Sequence, residues 1–122
     1  MTVLDTNILI YLLEGRLQGE LPTSGLCVSV ITEIELLSYD QLTETQEVRI
    51  RDLIARLTVI GLTPQVKEAA IRLRKATRLT IPDAIIAATA LSLNAELFTN
   101  DDRLMTLPGL ISRRLTVAPP LT

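Results

Sequence analysis

Four acidic residues stand where an apolar, strand-like run of this 122-residue chain gives way to a helix-like run. They are Asp5, Glu35, Asp83 and Asp101. Where strands and helices alternate, the carboxyl ends of parallel strands lie along one edge of the sheet, so residues far apart in sequence can converge there. Carboxylate oxygens gathered in one pocket suit a hard divalent cation. The placement of these acids therefore predicts a cation site built from oxygen ligands.

The composition narrows the chemistry that such a site could perform. Histidine and tryptophan are both absent, so the commonest general base and the commonest neutral nitrogen ligand of zinc are missing. Any hydrolysis must then depend on carboxylates, water or metal, and oxygen ligands favour magnesium over zinc. The formal charge of −2 argues against a protein that coats nucleic acid nonspecifically. It does not argue against nucleic acid held at a local basic rim.

Each acid also has an ordinary structural role open to it. An acidic residue at the start of a helix can cap it or complete a capping box, and the positive end of the helix dipole favours its charge. Hydroxyl or amide residues that could do the capping stand beside several of the acids: Thr6, Asn7, Ser29, Thr80 and Asn100. For the four acids taken together, capping is therefore a partly redundant role.

Alternating strand-like and helix-like segments would position the acids. Predicted strands cover residues 2–4, 26–28, 58–62, 96–99 and, at an edge, 115–117; predicted helices cover 7–13, 30–37, 44–57, 64–78, 82–93 and a short turn at 101–105. Between the first helix and the second strand, a polar segment with Gly and Pro predicts a loop or a broken helix. The pattern predicts an α/β protein of three layers, α/β/α, with a mainly parallel sheet of four to five strands.

The length fits a single domain over residues 1–122 with a sizeable core. The longest apolar stretches, near residues 8–13 and 84–91, fall well short of the roughly 20 residues of a membrane helix. The N-terminal residues lack the basic segment and apolar stretch of a signal peptide, so we expect no membrane association and a cytoplasmic location. The single cysteine, Cys27, lies in an apolar run and is expected to be buried.

The motifs around the acids resemble those of the PIN-domain metal-dependent ribonucleases and, within them, the VapC-like toxins of type II toxin–antitoxin pairs. The resemblance is carried by residues 4–7 (LDTN), 29–37 (SVITEIELL), 82–90 (PDAIIAATA) and 97–101 (LFTND). No single motif is specific, but the set covers almost the whole chain in the right order and spacing. The resemblance implies a PIN-like fold and a metal-dependent endoribonuclease that acts as a toxin.

The resemblance also implies a site and its partners. The four acids would line one pocket that binds Mg²⁺ or Mn²⁺ and carries the catalysis. Residues that match positions supporting the acids by hydrogen bonding are Thr6, Asn7 and Thr99. Asp102 is expected to face solvent and ranks below Asp101. The implied partners are an RNA substrate and a cognate antitoxin.

The family pattern also chooses between two neighbouring glutamates. Glu33 and Glu35 stand two positions apart, roughly 200° around a helix, so only one should face the pocket. Periodicity cannot choose between them, because an apolar stripe through residues 30, 31, 34 and 37 leaves them on opposite flanks. The pattern selects Glu35, and Glu33 is expected to be solvated.

Basic residues and apolar helices give weaker indications of partners. Residues that could meet the RNA backbone are Arg72, Arg74, Lys75, Arg78 and Arg103, although a solvated helix face accounts for them too. The helices at 44–57 and 64–78 could provide a homodimer face, although core packing accounts for the same apolar residues.

Two other classes of protein stay open. A PIN-like fold that has lost catalysis could act only as a binding module, although the presence of all four acids speaks against that loss. A receiver-type signalling domain also has acids at strand ends, but it expects an acidic pair after the first strand and a lysine after the last. In this chain Asp5 is followed by Thr6 and Asn7, and no lysine follows Lys75.

Overall fold

The computed structural model describes residues 1–120, over which strands and helices alternate. The strands are β1 (Thr2–Leu4), β2 (Leu17–Gln18), β3 (Leu26–Ser29), β4 (Thr58–Ile60), β5 (Glu96–Phe98), β6 (Ser112–Arg113) and β7 (Thr116–Val117). The helices are α1 (Thr6–Leu13), α2 (Val30–Leu37), α3 (Glu44–Ile54), α4 (Pro64–Ala76), α5 (Ile81–Leu93) and α6 (Asp102–Met105).

The main sheet has five parallel strands in the order β4-β3-β1-β5-β6. The chain moves outward from β1 to β3 and β4, then returns to the other side of β1 to form β5 and β6. The strand order therefore reverses between β1 and β5. In open parallel sheets, ligands bind outside the carboxyl ends of the strands at such a reversal point.

Successive residues of the central strands face opposite sides of the sheet, which gives the fold two cores. On one face, Val3, Cys27 and Leu97 pack with α4 and α5. On the other face, the next residue of each strand packs with α1, α2 and α3; these residues are Leu4, Val28 and Phe98. Helices on both faces of a parallel sheet confirm the predicted three-layer α/β/α class. Cys27 is buried in the first core, as expected.

Helix α5 is buried along most of its length, from Ala84 to Ala90. Its small side chains allow it to fit between the sheet and α4, against which it packs. Because α5 is held on both sides, its first turn has a fixed position relative to the carboxyl edge of the sheet. Asp83 belongs to that turn.

The helix starts follow the capping signals in the sequence. The side chains of Ser29, Thr63 and Thr80 accept hydrogen bonds from backbone N–H groups in the first turns of α2, α4 and α5. Thr43 and Gln46 form a reciprocal capping box at the start of α3. These local signals therefore set where α2, α3, α4 and α5 begin, within one residue of the predicted starts.

Two predictions about strands need correction. The segment predicted as a loop or broken helix contains β2, which pairs antiparallel with β7 in a separate two-stranded sheet. The predicted strand at 115–117 is therefore not an edge of the main sheet. The edge strand beside β5 is β6, which was not predicted. No helix within residues 1–120 is long and apolar enough to cross a membrane.

Candidate metal centre

Asp5 lies at the reversal point of the sheet because it directly follows β1. Leu4 is in register with Phe98, and the Asp5 backbone N–H donates to the carbonyl of Phe98 (3.0 Å). Asp5 is also the N-cap of α1, where its Oδ1 accepts a hydrogen bond from Thr6 N (2.8 Å). The residue is only 6% exposed. The strand register thus fixes a buried carboxylate at the carboxyl edge.

Thr99 connects the first acid of the site to the last. Its hydroxyl donates to Asp5 Oδ2 (2.7 Å) and accepts from the Asp101 backbone N–H (3.0 Å). Thr99 is fully buried immediately after β5, beside the end of β1. A hydroxyl has one proton to donate, so this arrangement fixes the direction of both hydrogen bonds. Thr99 therefore sets the position of Asp101 relative to Asp5.

Arg103 brings Asp83 and Asp101 together. Its Nη2 lies 3.0 Å from Asp83 Oδ2 and 2.7 Å from Asp101 Oδ2. Its Nε also donates to Asp101 Oδ1 (3.2 Å). One guanidinium group therefore contacts carboxylates from the first turn of α5 and from the start of α6, which are 18 residues apart in sequence.

Glu35 joins the site through Thr6. The Thr6 hydroxyl donates to Glu35 Oε1 (2.8 Å) and lies 2.8 Å from the hydroxyl of Thr32. Because Thr6 has one hydroxyl proton, Thr32 must be the donor between the two threonines. Thr6 is the residue after Asp5, so this chain of hydrogen bonds connects α2 to the first acid.

The structure corrects the predicted buried face of α2. Ile34, which the predicted apolar stripe included, is 55% exposed, whereas Thr32 and Leu36 are buried. Glu33 is half-buried, and Glu35 is exposed. The buried Thr32 hydroxyl is hydrogen-bonded to Thr6, a polar interaction that apolar periodicity cannot reveal.

Helix capping accounts for only part of this arrangement. Asp5 and Asp101 are N-caps, and each accepts a backbone hydrogen bond in its helix. At α5, however, the N-cap is Thr80, and the Asp83 carboxylate bonds Arg103. The Glu35 carboxylate accepts from Thr6. Two of the four acids are therefore not caps, and the two caps also accept side-chain hydrogen bonds, Asp5 from Thr99 and Asp101 from Arg103.

The electrostatics of the centre differ between its buried and exposed sides. The pKa of Asp5 is raised, mainly by burial. The hydrogen bonds from Thr99 and Thr6 lower this pKa, and the charges of Asp83 and Asp101 raise it. Hydrogen bonds from Arg103 lower the pKa of Asp101. The site thus concentrates negative charge that a cation would relieve.

The donor set fits a hard divalent cation in its chemistry and charge. All four candidate ligands are carboxylates, and a positive group, the Arg103 guanidinium, already lies against two of them. Within residues 1–120, no three acidic side chains are close enough to hold a single ion as they stand. Arg103 contacts both oxygens of Asp101 and one of Asp83, and Thr6 contacts one oxygen of Glu35.

The remaining predicted residues lie at different distances from the centre. Asn7 is exposed in the first turn of α1. The Asp102 side chain is 85% exposed, as expected. Arg74 donates to the carbonyl of Leu79, just before α5.

The other basic residues on and after α4 are not brought to the acids. Arg72 lines a groove beside Leu91 and Ser92, which lie near the far end of α5 from Asp83. Lys75 is exposed on α4, and Arg78 is exposed after its end. Of the five basic residues predicted to contact RNA, the structure places Arg103 against the acids and Arg72 away from them.

Sequence reasoning missed two residues at this edge. In the sequence, Thr32 resembles a helix-capping residue. Its position three residues before Glu35 was the sequence signal for its second role, the hydrogen bond to Thr6 beside Glu35. Arg114 pairs with Asp102 and donates to the carbonyl of Asn100, close to Asp101. Its position depends on the unpredicted β6, so no local pattern identifies it.

Residues 2–110 match the PIN domain family. The chain belongs to this family. The match agrees with the resemblance seen in the sequence and decides against the receiver-type alternative. A comparison with curated protein sequences found no significant match.

Solved structures similar to this PIN domain include toxin–antitoxin complexes. A toxin–antitoxin complex from Klebsiella pneumoniae contains a chain that is 31% identical, with a TM-score of 0.76 over 91% of this chain and 96% of that one. VapBC-1 from nontypeable Haemophilus influenzae is 29% identical, with a TM-score of 0.73 over 93% and 96%. DNA-bound VapBC from Salmonella typhimurium is 26% identical, with a TM-score of 0.77 over 93% and 96%. These neighbours confirm the predicted resemblance to VapC-like PIN domains.

Proposed function

We propose that this PIN domain is an endoribonuclease that depends on Mg²⁺ or Mn²⁺ and acts as the toxin of a toxin–antitoxin pair. The observation that carries the proposal is the meeting of Asp5, Asp83 and Asp101 at the reversal point of the sheet, where Thr99 and Arg103 connect them. Glu35 extends the same network through Thr6. The neighbours that are toxin–antitoxin complexes support the biological role.

The four acids would hold the cation. When bound, the ion supplies a water of lowered pKa as the nucleophile and neutralises charge on the phosphodiester. Asp5 is oriented by Thr6 N and by Thr99, so its two oxygens have fixed directions. Because the chain has no histidine, a carboxylate or solvent must accept the proton of the attacking water. We expect the exposed side of the centre, around Asp83 and Asp101, to meet the RNA.

We expect purified protein to cleave single-stranded RNA with Mg²⁺ or Mn²⁺, to lose cleavage on exhaustive chelation, and to recover it when metal is restored. The physical reason is that carboxylates alone are weak bases, whereas a bound ion would lower the pKa of water towards neutral. Cleavage can be followed on a fluorophore-quencher RNA. Asp101→Asn protein purified in parallel controls for contaminating ribonuclease. Full activity after chelation would contradict the proposal.

A partner protein would neutralise the toxin. We infer an antitoxin from the toxin–antitoxin complexes among the neighbours. An apolar groove lined by Ile10, Leu13, Leu36 and Ile50 opens beside Glu35 and offers it a docking surface. We expect the protein to encounter both RNA and antitoxin in the cytoplasm. The test is to co-express the protein with the product of an adjacent gene and to measure RNA cleavage. If the adjacent gene product does not suppress cleavage, this role is contradicted.

The homodimer face was predicted on the helices at 44–57 and 64–78; we propose that it is the α4 side of this surface, at the groove between α4 and the start of α5. Exposed apolar side chains of Leu62, Ile71 and Ile81 line it, and Arg74 and Lys75 stand at its rim. Burial against a second copy would remove this apolar surface from water. Arg103, which lies at the acids, and Arg78 would contact the RNA backbone together with Arg74 and Lys75, whereas Arg72 lines a different groove, away from the acids.

One pair of variants separates the apolar role of the groove from its basic role. We expect Ile71→Glu to shift the protein to monomer in sedimentation velocity, because a charge would be buried at the interface. We expect the Arg74→Ala, Lys75→Ala double variant to remain dimeric while the salt dependence of RNA binding decreases, because fewer phosphates are neutralised. A dimer in both variants with an unchanged salt slope would contradict both assignments.

A further inference from the structure

Arg103 binds the carboxylate oxygens that a cation would need. Its Nη2 contacts Asp83 Oδ2 and Asp101 Oδ2, and its Nε contacts the second oxygen of Asp101. The arginine thereby engages both oxygens of Asp101 and one of Asp83. Two candidate ligands from different helices therefore share one intramolecular counter-cation.

We propose that Arg103 competes with the divalent cation for Asp83 and Asp101, so that the guanidinium must leave these oxygens before they can ligate the ion. This inference rests on the proposed metal-dependent function. Mg²⁺ ligands lie about 2.0–2.1 Å from the ion, closer than the guanidinium nitrogens are now. An ion bound to the same oxygens would therefore stand within a few ångströms of a second positive charge, and like charges repel at that range.

The surroundings of Arg103 allow it to leave. Its side chain is 62% exposed and belongs to α6, a helix of four residues. Both carboxylates are less exposed than the arginine, so they stay in place on α5 and at the start of α6 while the long side chain can swing into solvent. An exposed ion pair is held by only a small free energy. The competition therefore weakens cation binding without preventing it.

Two different roles for Arg103 would give different results. If Arg103 instead holds the carboxylates in the geometry the ion requires, removing it should weaken cation binding. If it acts only through its charge at a distance, removal of a neighbouring arginine should have the same effect. Arg114 provides that comparison, because it pairs with Asp102 at the same edge of the sheet.

The test measures Mn²⁺ affinity of the full chain by electron paramagnetic resonance, in the absence of RNA. We expect Arg103→Gln to bind Mn²⁺ roughly three- to tenfold more tightly than wild type, because two ion pairs no longer have to break. Arg103→Lys keeps the charge but loses the fork of donors, so its affinity should fall between the two. Arg114→Gln should remain close to wild type.

Every outcome bears on the inference. Tighter binding by Arg103→Gln but not by Arg114→Gln supports it. Equal affinity in wild type and Arg103→Gln, or weaker binding by the variant, overturns the competition while leaving the metal centre intact. Equal tightening in Arg103→Gln and Arg114→Gln also overturns it, in favour of long-range charge. If neither wild type nor any variant binds Mn²⁺, the proposed metal-dependent function fails and the competition fails with it.

Discussion

Replacing Asp101 with Asn is expected to lower RNA cleavage at saturating Mg²⁺ by at least about a hundredfold, the scale on which single electrostatic groups act in active sites. The substitution removes a negative charge that would face the ion. Asn retains an oxygen that can accept from Arg103 N, which Asp101 Oδ1 now does at 2.9 Å, so α6 should keep its cap. Asp5→Asn and Asp83→Asn should cause losses of similar size. Single-turnover cleavage rates at several metal concentrations would measure them.

Asp102→Asn is the matched control for Asp101→Asn. The two residues are adjacent, but the Asp102 side chain is 85% exposed and pairs with Arg114. We expect its cleavage rate to stay near wild type. Thermal melts of the Asn variants in the presence of a chelator complete the test. We expect Asp83→Asn to be neutral or stabilising, because the loss of repulsion between Asp83 and the other acids offsets the loss of its ion pair with Arg103. Strong destabilisation of every Asn variant in chelator would instead indicate that the acids serve mainly as caps.

The two glutamates of α2 extend the same series. Glu35→Gln should lower the cleavage rate or raise the metal requirement severalfold or more, because Glu35 is the one hydrogen-bonded to Thr6 beside Asp5. Glu33→Gln should remain close to wild type. The reverse order would show that the second acid of the site was assigned incorrectly by half a helical turn.

The places of the acids in the fold and the starts of the helices could be predicted from sequence because their signals are local. A threonine three residues before the backbone N–H that it binds is sufficient to predict a cap, as Thr63 and Thr80 illustrate. The fold class was also accessible, because strands and helices alternate with clear periods. The order of the acids along the chain then placed them at one edge once the sheet was taken to be parallel.

The parts that sequence could not supply depend on contacts between distant segments. Strands β2 and β6 have two residues each, which is too short for a periodic pattern. The strand predicted at 115–117 corresponds to β7, but its pairing with β2 could not be predicted. The buried Thr32 is hydrogen-bonded to Thr6, 26 residues away. The Arg103 bridge requires α5 and α6 to converge, so the sequence indicated a basic residue near the acids but not its partners.

Thr99→Val is expected to reduce both stability and activity, because one hydroxyl supports two groups of the centre. Val keeps the shape but leaves Asp5 Oδ2 without its donor and the Asp101 N–H without its acceptor. A buried polar group left unpaired costs about 1–3 kcal/mol, so we expect a loss of this size in the free energy of unfolding at neutral pH in chelator. Loss of a hydrogen bond to a metal ligand typically lowers metal affinity or activity by about 10–100-fold, and we expect a loss of cleavage of this size.

Thr89→Val separates this role from the general cost of removing a buried hydroxyl. Thr89 is also fully buried, but its hydroxyl donates to the carbonyl of Ile85 within α5 (2.7 Å), away from the acids. It should lose some stability without the loss in metal affinity. Equal effects of the two substitutions on Mn²⁺ binding would refute the supporting role of Thr99.

The stability loss of Thr99→Val should also depend on pH in a defined direction. Burial raises the pKa of Asp5 above its ordinary value of 3.8, and the Thr99 hydrogen bond opposes that rise. With the folded pKa raised, the stability that Asp5 contributes is present below the unfolded pKa and is lost as pH rises through the folded pKa. Without the hydroxyl the folded pKa rises further, so the variant loses more over the same range. Urea unfolding in chelator should therefore give a difference from wild type that is smallest in acid and grows towards neutral pH; a difference that is constant with pH would show that Thr99 does not bind the ionised carboxylate.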